Sequence, residues 1–138
     1  MDFKKYNSIE NSYQIEFLNE IKEQGFYDLE YVVQEKVHGA NLSFITNGKD
    51  IISAKRTELI TDDENFYNSK YVQHKYESKV IQLYKLISEK YSDVKQVTIF
   101  GELFGGIYPH PNVEKVNTAV FVQKGVYYSP DNDFYAFD

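Results

Sequence analysis

The dipeptide Asn47-Gly48 stands between two short strand-like runs and is the strongest single constraint on the fold. The runs are Leu42–Thr46 and Ile51–Ala54, both rich in β-branched or aromatic residues. Asn and Gly tolerate the positive φ angles that a two-residue type I′ turn requires. The pattern therefore predicts a β-hairpin, and with it an antiparallel sheet to which other strands can add.

The rest of the chain alternates between strand-like and helix-like segments. Helices are predicted where apolar residues recur with a period of 3.6 residues, and strands where the period is two. The predicted helices are Ser12–Gln24, with Gly25 as its C-cap, and Ser78–Tyr91; the further strands are Tyr31–Val37, Val97–Phe104, Thr118–Gln123 and Asp133–Asp138. The polar segments Thr61–Lys75 and Ile107–Lys115 predict surface loops. This order indicates an α+β fold of antiparallel strands with flanking helices.

Composition limits the classes of protein to which the chain can belong. Its 138 residues, 42% of them hydrophobic, suit one globular domain. A net charge of −6 argues against a surface that coats nucleic acid, so any phosphate site must be local. The polar N-terminus and the lack of a run of about 18 apolar residues predict no membrane role and a cytoplasmic location. Three histidines, no cysteine and no metal-type spacing argue against a transition-metal site.

The segment Lys36–Asn41 contains the residues best suited to chemistry. If the strand alternation continues to His38, the side chains of Lys36 and His38 share a side, and Gly39 leaves room for a ligand. A lysine amine attacks phosphorus only when unprotonated, so burial or nearby cations must lower its pKa, and Lys55 and Arg56 are candidates for those cations. These residues alone leave open that Lys36 is a solvated strand lysine followed by an ordinary turn.

Four blocks in order resemble the adenylyltransferase domain of phage-type RNA ligase 2, within the covalent nucleotidyltransferase superfamily. The blocks are Lys36–Asn41 for the nucleophile motif KxHGxN, Ala54–Thr57 for the basic motif, Phe100–Glu102 for the third motif and Phe134–Asp138 for the aromatic motif. The N-terminal residues are also similar. DNA ligases and capping enzymes usually have the motif KxDG. In this chain His38 stands in the position of that aspartate, which favours the RNA ligase branch.

The resemblance implies a role for each matching residue. It places Lys36, His38 and Glu102 in catalysis: Lys36 would take AMP from ATP, His38 would act near the transferring phosphate, and Glu102 would bind the ribose hydroxyls. Mg²⁺ would arrive with ATP rather than at a protein metal site. The residues implied in nucleotide binding are Glu35, Val37, Asn41, Lys55, Arg56 and Phe137, with Glu35 and Phe137 beside the adenine.

The same resemblance implies two later motifs, a glutamate segment and a lysine pair, that would lie beyond Asp138. We therefore expect residues 1–138 to be the N-terminal portion of a truncated adenylyltransferase domain of antiparallel sheets. Since losing one such charged group commonly costs about 10² to 10³ in rate, we expect slow or absent self-adenylylation. A second polypeptide or a further C-terminal segment would complete the site.

Three functions are consistent with these residues. The first is an ATP-dependent RNA ligase that joins 5′-phosphate and 3′-hydroxyl RNA ends, such as those at a nick in duplex RNA, in RNA repair. The second is a catalytically impaired module that binds the nucleotide without chemistry. The third is an interaction protein in which the matching blocks are coincidental. Covalent labelling by ATP separates the first from the others, and reversible ATP binding separates the second from the third.

Overall fold

A computed structural model describes all 138 residues and divides them into two compact units. The main unit comprises Met1–Lys5 and Val37–Asp138, and the N-terminal unit comprises Tyr6–Lys36. The elements in chain order are α1 (Ile15–Glu23), β1 (Ala40–Thr46), β2 (Ile51–Lys55), α2 (Ser69–Lys90), β3 (Val97–Gly105) and β4 (Asn132–Ala136). The predicted α+β class is confirmed. Neither helix has the length and apolar character needed to cross a membrane.

A single four-stranded antiparallel sheet forms the centre of the main unit. Its strand order is β2-β1-β3-β4, so β1 and β3 are the inner strands. Helix α2 packs on one face of this sheet, where Val72 and Val80 join the buried core. The sheet contributes Leu42, Phe44 and Leu103 to that core, each with no exposed surface. Since side chains alternate along a strand, the neighbours of these residues occupy the opposite face.

The predicted hairpin is confirmed, but its turn is not type I′. Thr46 pairs with Ile51, so the loop has four residues, and only Gly48 among them has a positive φ, of 89°. The Asn47 side-chain oxygen instead accepts hydrogen bonds from the backbone N–H groups of Lys49 and Asp50, at 3.0 and 2.8 Å. A side chain that closes the turn in this way removes the need for two residues with positive φ.

Helix α2 begins at Ser69, nine residues before its predicted start, so the predicted loop over Thr61–Lys75 is wrong in its second half. The extra turns contain Val72, which is fully buried, and half-buried Tyr76 lies one turn before Val80. Their spacing of four residues continues the buried stripe of the helix towards its N-terminus. Most of the polar residues between them are exposed, as His74 and Glu77 are, and they interrupt the apolar pattern from which the helix was predicted.

The predicted strand over Tyr31–Val37 is absent. A strand needs a neighbour to bond its backbone N–H and C=O groups, and α1 is the only regular element of the N-terminal unit. Val32 and Val33 are 86% and 92% exposed, so no core stabilises the extended form either. The alternation that would have placed Lys36 and His38 on one side is therefore not supported.

The predicted strand over Thr118–Gln123 is also absent, because one side chain takes the place of a neighbouring strand. The buried amide of Asn132 accepts a hydrogen bond from the Val120 N–H at 2.8 Å and donates one to the Val120 carbonyl at 2.7 Å. Both polar groups of the Val120 backbone are thereby satisfied without a sheet ladder. The strands predicted near β3 and β4 are confirmed, each within two residues at its ends.

Helix α1 ends at the predicted glycine. Gly25 has a φ of 74°, its N–H bonds to the Lys22 carbonyl, and the Phe26 N–H bonds to the Ile21 carbonyl. This pair of bonds is a Schellman motif, which favours glycine because its αL conformation strains residues with a Cβ. The helix itself is shorter than predicted, and none of its residues is buried.

The contact between α2 and β4 predicts a loss of stability at alkaline pH. Burial, together with a hydrogen bond to Asp133, raises the pKa of Tyr76 to about 12. An unfolded tyrosine ionises near pH 10, so this contribution is complete below pH 10 and is lost as the pH rises towards 12. Burial opposes ionisation of Asp133, but hydrogen bonds from Tyr76, the Phe134 N–H and Lys75 outweigh it and lower its pKa.

We expect the free energy of unfolding to fall between pH 10 and 12 in the wild-type chain and to fall less in Tyr76→Phe. Urea unfolding at several pH values measures both slopes. Tyr27→Phe, which removes the hydroxyl of a 63% exposed tyrosine outside this contact, is the control. Equal slopes in all three proteins would show that Tyr76 ionisation does not contribute.

Candidate active site

The candidate site forms where the nucleophile motif enters β1. The Gly39 N–H donates a hydrogen bond to Glu102 Oε1 at 3.0 Å, across 63 residues of sequence. A Cβ at Gly39 would lie 2.0 Å from the backbone oxygen of Leu103, so only glycine allows this approach of the loop to β3. The first and third motifs are thereby joined through a backbone donor and a carboxylate.

Three polar and aromatic residues share the sheet face opposite α2. Asn41 pairs with Glu102 across β1 and β3, and Glu102 pairs with Tyr135 across β3 and β4. Directly paired residues project to the same side of an antiparallel sheet. Asn41 and Glu102 are half-buried, so this face offers polar groups at the side of the sheet that α2 does not cover.

Phe137 continues the ladder beyond β4. Its N–H donates to the Phe100 carbonyl at 2.9 Å, and it follows Tyr135 by two residues. The alternation of side chains then brings its ring to the face that carries Glu102. The residue Phe137 is 40% exposed.

The two cations of the basic motif differ in their surroundings. Lys55 pairs with Leu42, which lies on the core face, and its ammonium forms ion pairs with Glu58 at 3.2 Å and Glu64 at 2.7 Å. Hydrogen bonds to Glu64 and then Glu58 raise the pKa of Lys55. Arg56 follows the end of β2, is exposed and forms no ion pair. The structure thus leaves Arg56 available to an anion, whereas the charge of Lys55 is already compensated.

The remaining predicted residues lie just before and just after the sequence position at which the N-terminal unit ends. Glu35 and Lys36 are the last two residues of the N-terminal unit, and both are exposed. Val37, half-buried, and His38, exposed, belong to the main unit and directly precede Gly39.

Tyr128 is a site residue that the sequence did not identify. Its hydroxyl accepts a hydrogen bond from the His38 N–H at 3.2 Å, and its ring meets Phe104 edge-on with centroids 5.7 Å apart. Tyr128 lies 90 residues after His38 in a segment without regular secondary structure. No local pattern indicates a contact over that separation.

No group of three or more His, Cys, Asp or Glu side chains is placed to hold a metal ion. Glu102 is the one carboxylate bonded to the loop after Lys36.

Comparison with known proteins identifies the family. The sequence profile of the RNA ligase family matches residues 29–138, which include all four motif blocks. The chain belongs to the RNA ligase family. The members of that family are enzymes, and the match covers every residue of the candidate site in the main unit.

Two RNA ligases of Trypanosoma brucei brucei are similar to this family member. RNA-editing ligase 2, mitochondrial, is 32% identical over 151 aligned residues, which cover 99% of this chain and 36% of the relative. RNA-editing ligase 1, mitochondrial, is 30% identical over 142 aligned residues, which cover 88% of this chain and 30% of the relative. The chain thus spans about a third of the length of these RNA ligases. Their names place them in the mitochondrion, and the cytoplasmic location of this chain stays a prediction.

Proposed function

We propose that residues 1–138 bind ATP and accept AMP on Lys36, as the N-terminal part of an ATP-dependent RNA ligase. The observation that carries the proposal is the hydrogen bond from the Gly39 N–H to Glu102. This bond connects the loop after Lys36, the proposed nucleophile, to Glu102, the carboxylate that is proposed to bind the ribose hydroxyls. Asn41 lies beside Glu102 in the register of the sheet, as a shared nucleotide face requires.

In the proposed reaction the lone pair of the Lys36 amine attacks the α-phosphorus of ATP. A P–N bond forms, the bond from that phosphorus to the bridging oxygen breaks, and pyrophosphate leaves with the electron pair. The nitrogen, which carries two protons and a positive charge after attack, loses one proton to solvent or a base, and the phosphoramidate keeps one N–H. Mg²⁺ held by the phosphate oxygens of ATP would offset the charge that develops on pyrophosphate.

The other roles follow from the chemistry of each side chain. The planar guanidinium of Arg56 can donate two parallel hydrogen bonds to two phosphate oxygens. Arg56 forms no ion pair with an acidic residue of the chain. Glu102, whose carboxylate accepts from the Gly39 N–H, is proposed to accept from a ribose hydroxyl as well. The aromatic ring of Phe137, a residue that is 40% exposed, is proposed to stack on adenine. Glu35 and Val37 are proposed to contact the base and sugar.

In the complete enzyme AMP would pass from Lys36 to a 5′-phosphate at an RNA end, and a neighbouring 3′-hydroxyl would displace it. Holding both ends at a nick in duplex RNA supplies much of the acceleration in that step. His38, which is exposed and directly precedes Gly39, is proposed to act near the phosphate. A further segment or a second polypeptide is proposed to supply the remaining phosphate-binding cations.

A second function is favoured by the surroundings of Lys55. Because two carboxylates neutralise this lysine, the main unit has one fewer cation for a triphosphate than the motif suggests. The ion pairs of Lys55 with Glu58 and Glu64 favour a structural role, in which Lys55 connects β2 to the segment that follows it, over a phosphate contact. A module with too little positive charge would bind ATP reversibly and not react.

Intact-mass measurement after incubation with ATP and Mg²⁺ tests the proposal. We expect the chain to gain the mass of one AMP slowly, because few cations compensate the transition-state charge. Calorimetric binding of a non-hydrolysable ATP analogue provides the second readout. Binding without the mass gain would favour the binding module, and the absence of both would overturn nucleotide binding.

A further inference from the structure

The segment between β3 and β4 has no helix or strand, yet several hydrogen bonds tie it to the core. The Gly106 N–H bonds to the Asp131 carbonyl at its base, and the Val122 N–H bonds to the Gly105 carbonyl. Val122 is 8% exposed and belongs to the core cluster, and Asn132 holds both backbone groups of Val120. The path of this segment is therefore defined by its contacts.

This segment returns Tyr128 to the sheet face that carries Glu102. Phe104 follows Glu102 by two residues on β3, so the two side chains share a face. The Tyr128 ring meets Phe104 at an interplanar angle of 78°, with centroids 5.7 Å apart. An edge-to-face contact of this kind orients the ring and thus the direction of its hydroxyl.

The hydroxyl of Tyr128 and the carboxylate of Glu102 hold two successive backbone amides. Tyr128 accepts from the His38 N–H at 3.2 Å, and Glu102 accepts from the Gly39 N–H at 3.0 Å. A single anchor would leave the neighbouring peptide plane free to rotate. Two anchors on adjacent planes, provided by two different parts of the chain, define the conformation of the loop.

We propose that Tyr128 is a positioning residue for the His38–Gly39 loop. Only Val37 separates Lys36 from His38 in sequence, so the orientation of the His38 peptide limits the directions from which the lysine can reach a bound nucleotide. Tyr128 does not touch the reacting atoms in this role. The link to chemistry rests on the proposed function, whereas the anchoring of the loop does not.

Tyr128→Phe tests the anchor because it removes only the hydroxyl and keeps the ring against Phe104. NMR measurement of amide exchange with water should show faster exchange at His38, by about 3- to 10-fold, the range expected for one hydrogen bond. Tyr127→Phe is the matched control, since Tyr127 is 47% exposed and does not bond to the loop. Unchanged exchange at His38 in Tyr128→Phe would overturn the proposal.

The rate of AMP addition to Lys36 tests the consequence for chemistry. A positioning role predicts that Tyr128→Phe lowers the maximal rate by about 10-fold or more while the half-saturating ATP concentration changes less than about 2-fold. Faster exchange at His38 with an unchanged rate would overturn the positioning role. If the wild-type chain forms no adduct, the proposed function fails, and exchange at His38 still decides whether Tyr128 anchors the loop.

Tyr128→Leu separates the hydroxyl from the ring. It removes the edge contact with Phe104 as well as the hydrogen bond, so it should also lower the midpoint of thermal unfolding. If the Phe variant matches the wild type in both exchange and rate while only the Leu variant is impaired, the ring has a structural role and the proposal is wrong.

Discussion

Replacing Lys36 by alanine or arginine is expected to lower covalent AMP incorporation by more than about 10³-fold, since no other group replaces a lost nucleophile. Alanine removes the amine. Arginine keeps a long cationic side chain, but its guanidinium stays protonated at all accessible pH values and has no lone pair to attack phosphorus. A similar loss in both variants would show that nucleophilicity, and not charge, is the property required of residue 36.

The stability of these variants should hardly change. Lys36 is exposed, and substitutions at such positions usually change the free energy of unfolding by at most about 0.5 kcal/mol. Intact mass, peptide mapping and urea unfolding therefore distinguish a chemical effect from loss of fold. Lys49→Ala, in the exposed hairpin loop, is the control and should incorporate AMP as the wild type does. Undiminished labelling of Lys36→Ala would place the nucleophile elsewhere.

Gly39→Ala is expected to cost about 1 to 3 kcal/mol of stability, as overpacking does, and at least about 10² in the rate of AMP addition. The new Cβ would lie 2.0 Å from the Leu103 carbonyl oxygen and 3.2 Å from Glu102 Cγ. A backbone atom of an inner strand cannot move away easily, so the loop must shift. That shift breaks the hydrogen bond from the Gly39 N–H to Glu102.

Gly25→Ala is the control that separates a loss of stability from a loss in the rate of AMP addition. Gly25 has a φ of 74°, so alanine there strains the backbone, but a Cβ would meet nothing within 4 Å. It should lose stability and keep its rate of AMP addition at a temperature where the protein stays folded. Urea unfolding and timed mass measurement compare the variants. A Gly39→Ala protein that reacts at the rate of Gly25→Ala would show that the approach of the loop to β3 is not needed.

Much of the candidate site was predictable because its residues lie in short motifs. Asn41, Glu102 and Phe137 each stand at a fixed place in a block, and the sheet register puts Asn41 and Glu102 side by side. The motif did not reveal the pairing of Lys55 with Glu58 and Glu64, because both carboxylates lie outside it. Whether a cation is available depends on neighbours that only the folded chain brings together.

The errors in predicted secondary structure have a common cause. The extended pattern at Tyr31–Val37 lacks a partner strand, and the one at Thr118–Gln123 is replaced by the hydrogen bonds of Asn132 to Val120. At the start of α2 the opposite occurred, since the burial of Val72 stabilises helical turns that look polar in sequence. Local propensity was outweighed by the lack of a distant partner strand at Tyr31–Val37, and by contacts from distant parts of the chain in the other two cases.

The sequence by itself determined the hairpin, the C-cap at Gly25, the α+β class and the motif blocks that mark the candidate site. These features depend on the conformational preferences and chemical groups of residues close together in the chain. Only the tertiary structure decided which cation is paired, which side chain satisfies Val120, and that Tyr128 meets His38. Those outcomes require backbone and side-chain groups far apart in sequence to satisfy each other's hydrogen bonds and charges, and that choice is made only when the chain packs.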